Sequence, residues 1–80
     1  MSRFDNNVMK NKRNEILGSN VKAERNRKHL SQFQLAEKIN VSESTISLIE
    51  RGLQTPSIFL ILDISKVLNI DINELLKDII

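Results

Sequence analysis

Cysteine is absent from this 80-residue chain, so it has no disulfide frame, no thiol chemistry and no cysteine-based zinc site. That composition suits a reducing cytoplasm. Nowhere does an apolar run approach the roughly 18 residues of a membrane span, and the first residues are too polar for a signal peptide. A cytoplasmic protein without a membrane partner is expected. With two glycines in all, there is no glycine-rich phosphate loop, and no nucleophile–base pair or cluster of metal ligands can be found. The single histidine, His29, has no carboxylate triad or second ligand beside it, so it is neither a metal ligand nor a catalytic base. No enzyme activity, cofactor, metal or small-molecule substrate is expected. Eighty residues allow one domain with a modest core and leave no room for a separate ligand-sensing domain.

Net charge is only +2, too little to announce a nucleic-acid partner, but it is unevenly spread. Residues 1–30 hold eight basic side chains against three acids, whereas residues 31–80 hold four against seven. A basic front and an acidic rear suit a DNA-facing module, although basic runs are commonly just solvated faces. Residues 1–14 show no sustained period and read as a flexible arm, or as frayed helix near its end. Its Arg3, Lys10, Lys12 and Arg13 either follow a phosphate backbone or belong to a plain disordered terminus. The domain proper is expected over 15–80. Asn14 can cap a first helix over 15–28, with Leu17, Val21 and Leu30 as its apolar stripe.

The most informative stretch is LSQFQLAEKINVSESTISLIERG, residues 30–52. Two apolar-periodic segments, 32–39 and 43–51, are each preceded by a serine suited to the N-cap, and only Asn40, Val41 and Ser42 lie between them. The pattern predicts helix, tight turn, helix. Ser31 with Gln34 has the capping-box form. Asn40 suits the left-handed residue that ends the first helix. Leu35, Ile39, Val41, Ile46 and Ile49 point to a shared interior, with Ala36 small where the helices cross. Glu43, Ser44, Ser47 and Leu48 then project outward from a helix that fits a DNA major groove.

This stretch resembles the helix-turn-helix of the lambda-repressor-like (Cro/repressor, or XRE) family. The likeness rests on Leu30-Ser31-Gln32, Leu35-Ala36, Ile46-Ser47, Ile49-Glu50-Arg51-Gly52 and Pro56-Ser57, and extends from about Gly18 through Arg25 to Leu68-Asn69-Ile70 and Glu74-Leu75-Leu76. It implies an all-α, five-helix domain with the helix-turn-helix at helices 2 and 3, acting on double-stranded DNA. Glu43 and Ser44 match the first two base-reading positions. A glutamate there either accepts from cytosine N4 or serves the helix N-terminus. Ser47 can reach phosphate or base edges, and Leu48 can meet a thymine methyl. Gln32 matches a glutamine that bonds phosphate and braces a reader, and Thr45 supports a backbone contact. Arg51, Gln54 and Thr55, around a loop that in the family runs beside the backbone, are phosphate candidates; simple solvent exposure is the other reading. Arg25 matches the arginine that pairs with the motif's glutamate, here Glu50, with a phosphate contact as its alternative. The chain departs from the family where His29 replaces a common glycine, which bears on the turn before Ser31, and where Phe33 replaces a usually polar residue. Phe33 then packs on Phe4 or Met9 of the arm or lies against the DNA backbone.

After Gly52, expected to be left-handed, Pro56 and Ser57 start a fourth helix to about Leu68. Helical spacing puts Ile58, Ile61, Leu62, Ser65 and Leu68 on one face, with Leu60, Ile64 and Val67 as a second stripe. Asp71 with Glu74 makes another capping box, opening a last helix over 72–79. The surplus apolar surface suggests self-association, with Leu60, Ile64, Val67, Leu76, Ile79 and Ile80 in a homodimer interface. Two functions follow: a transcriptional regulator, acting as a repressor, bound as a homodimer to a short palindrome, or a protein-interaction adaptor or antitoxin-type module on the same scaffold. Loss of DNA affinity with rising salt separates them.

Overall fold

The computed structural model describes residues 2–79, and side chains over residues 12–79. All regular structure among these residues is helical: α1 (Ser2–Arg27), α2 (Gln32–Lys38), α3 (Glu43–Glu50), α4 (Ile58–Leu68) and α5 (Ile72–Leu76). No helix among them is long and apolar enough to cross a membrane.

Three serines and an aspartate set the helix starts. Ser31 accepts from Gln34 N at 3.0 Å and Gln34 Oε1 accepts from Ser31 N at 2.8 Å, closing the capping box of α2. Ser42 and Ser57 accept from the backbone N–H of Thr45 and Leu60, each at 3.1 Å. Asp71 caps α5 through Asn73 N, but the return bond expected from Glu74 is not made; that carboxylate lies 3.9 Å from Lys77 Nζ.

The first four helices all stop in the same way. At each end one residue is left-handed: His29 (φ 59°), Asn40 (φ 59°), Gly52 (φ 76°) and Asn69 (φ 53°). The next residue donates back to a carbonyl five positions earlier, as in Leu30 to Arg25, Val41 to Ala36, Leu53 to Leu48 and Ile70 to Ser65. These bonds satisfy carbonyls that a bare helix end would leave orphaned. His29 therefore takes up the conformation a glycine would hold, and the turn before Ser31 closes without one.

Two helices differ from expectation in length. α1 begins at Ser2 rather than after Asn14, since neither glycine nor proline interrupts the chain before Gly18. Asn14 caps nothing; its Oδ1 instead accepts from Thr55 Oγ1 at 2.9 Å, tying α1 to the loop after α3. α5 ends at Leu76, short of residue 79, with Lys77 extended. Asn20 Nδ2 donates to the carbonyls of Leu75 and Lys77, each at 2.9 Å, so α1 supplies the C-terminal cap.

The core joins Leu17 and Val21 of α1, Leu35 and Ala36 of α2, Ile46 and Ile49 of α3, Ile61, Ile64 and Leu68 of α4, and Leu75 of α5. α4 buries residues 61, 64, 65 and 68, the i, i+3, i+4, i+7 stripe. This corrects the face assignment from the sequence. Ile64 is fully buried in its own chain and cannot serve a dimer interface, whereas Ile58 and Leu62, placed on one face with Ile61 and Leu68, are exposed. Ser65 is tolerated within because its hydroxyl donates to Leu62 O at 2.8 Å.

Gly18 marks the closest approach between α1 and α3. A Cβ there would lie 2.6 Å from Glu50 O and closer still to Ile49 O. Only glycine lets the two backbones meet at that spacing.

Candidate nucleic-acid interface

α3 is held by its buried residues Ile46, Ile49 and Glu50, and turns its other side away from the core. On that outer side Glu43 and Ser44 are exposed, and Ser47 and Leu48 are half-buried. Glu43 makes no ion pair among the described residues, so its charge stands in the first turn, where a helix dipole favours it. Thr45 is half-buried, and its hydroxyl lies 2.9 Å from Ser42 Oγ, which draws it into the cap of α3.

Arg51 follows α3 and is exposed, and the chain then reverses at Gly52, whose missing Cβ leaves room for the backbone of Glu15. Beyond it Gln54 is half-buried and Thr55 exposed, the latter bonded to Asn14. Arg51, Gln54 and Thr55 thus lie within five residues on the segment that leaves α3.

Behind this face lies a buried polar cluster. Arg25 Nε donates to Glu50 Oε2 at 2.7 Å and Nη2 to Oε1 at 2.9 Å, a two-pronged pair with 9 % and 2 % of the side chains exposed. Arg25 Nη1 donates to Leu30 O at 2.7 Å and to Asn26 Oδ1 at 3.1 Å. Every nitrogen of the guanidinium is thereby engaged within the protein, which leaves it poorly placed for phosphate. The hydrogen bonds to Glu50 raise the guanidinium above its usual pKa, outweighing the lowering by burial, so it stays charged throughout the working range. Glu50 Oε1 also accepts from Gln32 Nε2 at 3.0 Å. Gln32 thus turns toward the ion pair rather than standing free, a bond no local sequence pattern announces because the partners are 18 positions apart.

The residues assigned to self-association differ in burial. Leu60, Val67, Leu76 and Ile79 are half-buried against the core, Ile64 lies inside it, and Ile80 is outside the described residues. Among the described residues, the large apolar side chains that face solvent are Phe33, Leu53, Ile58, Phe59 and Leu62, with Phe59 the most open at 74 %. Ile58, Phe59 and Leu62 adjoin one another on the first turns of α4. Phe33 is exposed, and the proposed contacts with Phe4 and Met9 fall outside the described side chains, as do the arm residues Arg3 and Lys10. Lys12 and Arg13 are exposed on α1. Among the described residues there is no group of histidine, cysteine or carboxylate side chains suited to a metal ion.

A helix-turn-helix family model matches residues 21–75, most of the chain, taking in α2, α3 and α4 together with Arg25 and Glu50. The HTH-type transcriptional regulator SinR of Bacillus licheniformis is 41 % identical over 64 residues, covering 79 % of this chain and 58 % of that protein. SinR of Bacillus subtilis matches at the same identity and coverage, and an uncharacterized HTH-type transcriptional regulator of Mycobacterium tuberculosis is 40 % identical over 53 residues, 66 % of this chain and 38 % of its own. The chain therefore spans little more than half the length of the first of these relatives. Among solved structures, the restriction-modification controller protein C.AhdI of Aeromonas hydrophila superposes with a TM-score of 0.78 at 29 % identity, over 81 % of this chain and 94 % of its own. The clp gene regulator ClgR of Corynebacterium glutamicum does so at 0.77 and 28 %, over 80 % and 68 %.

Proposed function

Since the chain belongs to the Cro/repressor-type (XRE) helix-turn-helix family, we propose that it is a sequence-specific DNA-binding regulator of transcription, working as a repressor in the cytoplasm. The observation that carries this reading is the outer side of α3, on which Glu43 and Ser44 are exposed among the described residues. In the proposed complex α3 enters the major groove. Ser44, Ser47 and Leu48 meet base edges, Leu48 against a thymine methyl, and Glu43 accepts from a cytosine N4 or acts on the helix end alone. Gln32, Thr45, Arg51, Gln54 and Thr55 contact phosphates and fix the register. Because α3 carries no arginine or lysine, two-pronged guanine recognition is missing from the helix, and DNA shape contributes a larger share of specificity.

Two copies on a short palindrome would set their α3 helices about 34 Å apart, in successive major grooves. The exposed Ile58, Phe59 and Leu62, together with Leu76 and Ile79, supply apolar surface for that pairing. Lys12 and Arg13, and the rest of residues 1–14, add basic charge for the flanking backbone. The exposure of Phe33 and Phe59 also favours a second reading, a protein-docking module on this scaffold.

Selection of bound duplexes from a random pool tests the proposal, because it returns half-site, spacing and symmetry together. Recovery of two inverted half-sites one helical turn apart is the expected result. A pool without enrichment would remove the DNA reading, and a single non-palindromic site would remove the homodimer alone.

A further inference from the structure

The buried ion pair is joined by a third partner that a purely structural role does not require. Glu50 Oε1 takes two donors, Arg25 Nη2 at 2.9 Å and Gln32 Nε2 at 3.0 Å. A glutamine amide has two N–H donors and a carbonyl, so among the described residues this bond leaves one N–H and the carbonyl uncommitted, on a side chain that is still half-exposed. We infer that Glu50 is a positioning residue for duplex binding: through its bond to Gln32 it fixes the amide so that the remaining N–H meets a backbone phosphate. The inference rests on the DNA-binding reading above and names how one contact of that site is prepared.

The physical reason is preorganisation. A free glutamine has several rotamers to lose when it meets a phosphate, whereas one already tied to Glu50 has lost them on folding. Arg25 completes the arrangement. Without it an unneutralised carboxylate would sit directly behind a phosphate contact and repel the DNA; with both oxygens bonded to the guanidinium, Glu50 orients Gln32 without that penalty.

The test is a double-mutant cycle on affinity for the pool-selected duplex. Arg25→Met with Glu50→Leu exchanges the buried pair for apolar side chains of similar size, a change that commonly preserves stability because no charge is stranded. Gln32→Ala in the wild-type background should weaken binding about tenfold, the lower end of the worth of a hydrogen bond to a charged group. The apolar variant should lose about the same factor, and adding Gln32→Ala to it should cost less than about twofold. Wild-type affinity in the apolar variant, or a full tenfold further loss on adding Gln32→Ala, overturns the inference. Should the apolar variant not fold, NMR of the wild-type chain decides: a Gln32 side-chain amide proton shifted downfield of exposed glutamines supports the bond, and ordinary exposed shifts overturn it. Failure of the wild-type chain to bind any duplex would remove the DNA reading itself, while binding with additive losses removes only the role of Glu50.

Discussion

Replacing Gly18 by alanine should destabilise the domain even though alanine is the better helix former. Within an exposed helix the change would gain about 1 kcal/mol. Here the added methyl would point at two carbonyl oxygens of α3, those of Ile49 and Glu50, the latter at 2.6 Å. Backbone atoms have no rotamer to retreat into, so α1 and α3 must separate along the seam that holds Leu17, Val21, Ile46 and Ile49 together. Overpacking of this kind costs about 1–3 kcal/mol, and a rigid obstacle places the cost at the upper end. The net loss is then about 2 kcal/mol, or roughly 8–16 °C in Tm at about 4–8 °C per kcal/mol for a domain of this size. Thermal unfolding followed by circular dichroism measures it directly. A Gly18→Ala variant as stable as the wild type, or more so, would refute the close approach of α1 to α3.

The left-handed helix ends offer the opposite sign: His29→Gly should stabilise by about 0.5–1 kcal/mol by removing the Cβ penalty at φ 59°, read from denaturant midpoints, with a loss showing that the histidine makes a contact that offsets it. Ser31→Ala should cost about 1 kcal/mol through the lost capping bond to Gln34 N, and an unchanged midpoint would mean that the cap contributes nothing. On α4, Phe59→Glu should leave monomer stability within about 0.5 kcal/mol of wild type, since surface changes are mild, while shifting sedimentation toward the monomer. Ile64→Glu should instead unfold the chain, because it buries a carboxylate without a partner. Arg51→Ala should weaken DNA binding uniformly across sequences and reduce the salt slope by about 1.

The parts of this fold that were legible in the sequence are those specified by neighbours. Ser31 with Gln34, Ser42 ahead of Glu43, Asn40 and Gly52 are caps and stops whose chemistry is complete within a few residues, and the structure places each where its local pattern does. What escaped depended on distant partners or on helical phase. The approach of Gly18 to α3 and the turn of Gln32 toward Glu50 involve residues far apart in sequence. A signal for the first was present, because a glycine inside a helical pattern carries a propensity cost that asks for a packing reason. On α4, eight of eleven positions are apolar, too many for hydrophobicity to choose the inward face, and packing against the other helices put Ile64 inside and left Phe59 out. The start of α1 was misplaced because a polar, basic stretch without apolar period still has acceptable helix formers and nothing to break it.

The claim that α3 reads the major groove is tested most directly by methylation interference on the selected duplex. Guanine N7 lies in the major groove and adenine N3 in the minor groove, so each modification reports one groove. Methyl groups at N7 within each half-site should abolish the shift of labelled duplex at low salt, while N3 methyl groups beneath α3 should leave it intact. Interference confined to N3, or a labelled duplex that fails to shift at all, would contradict the account.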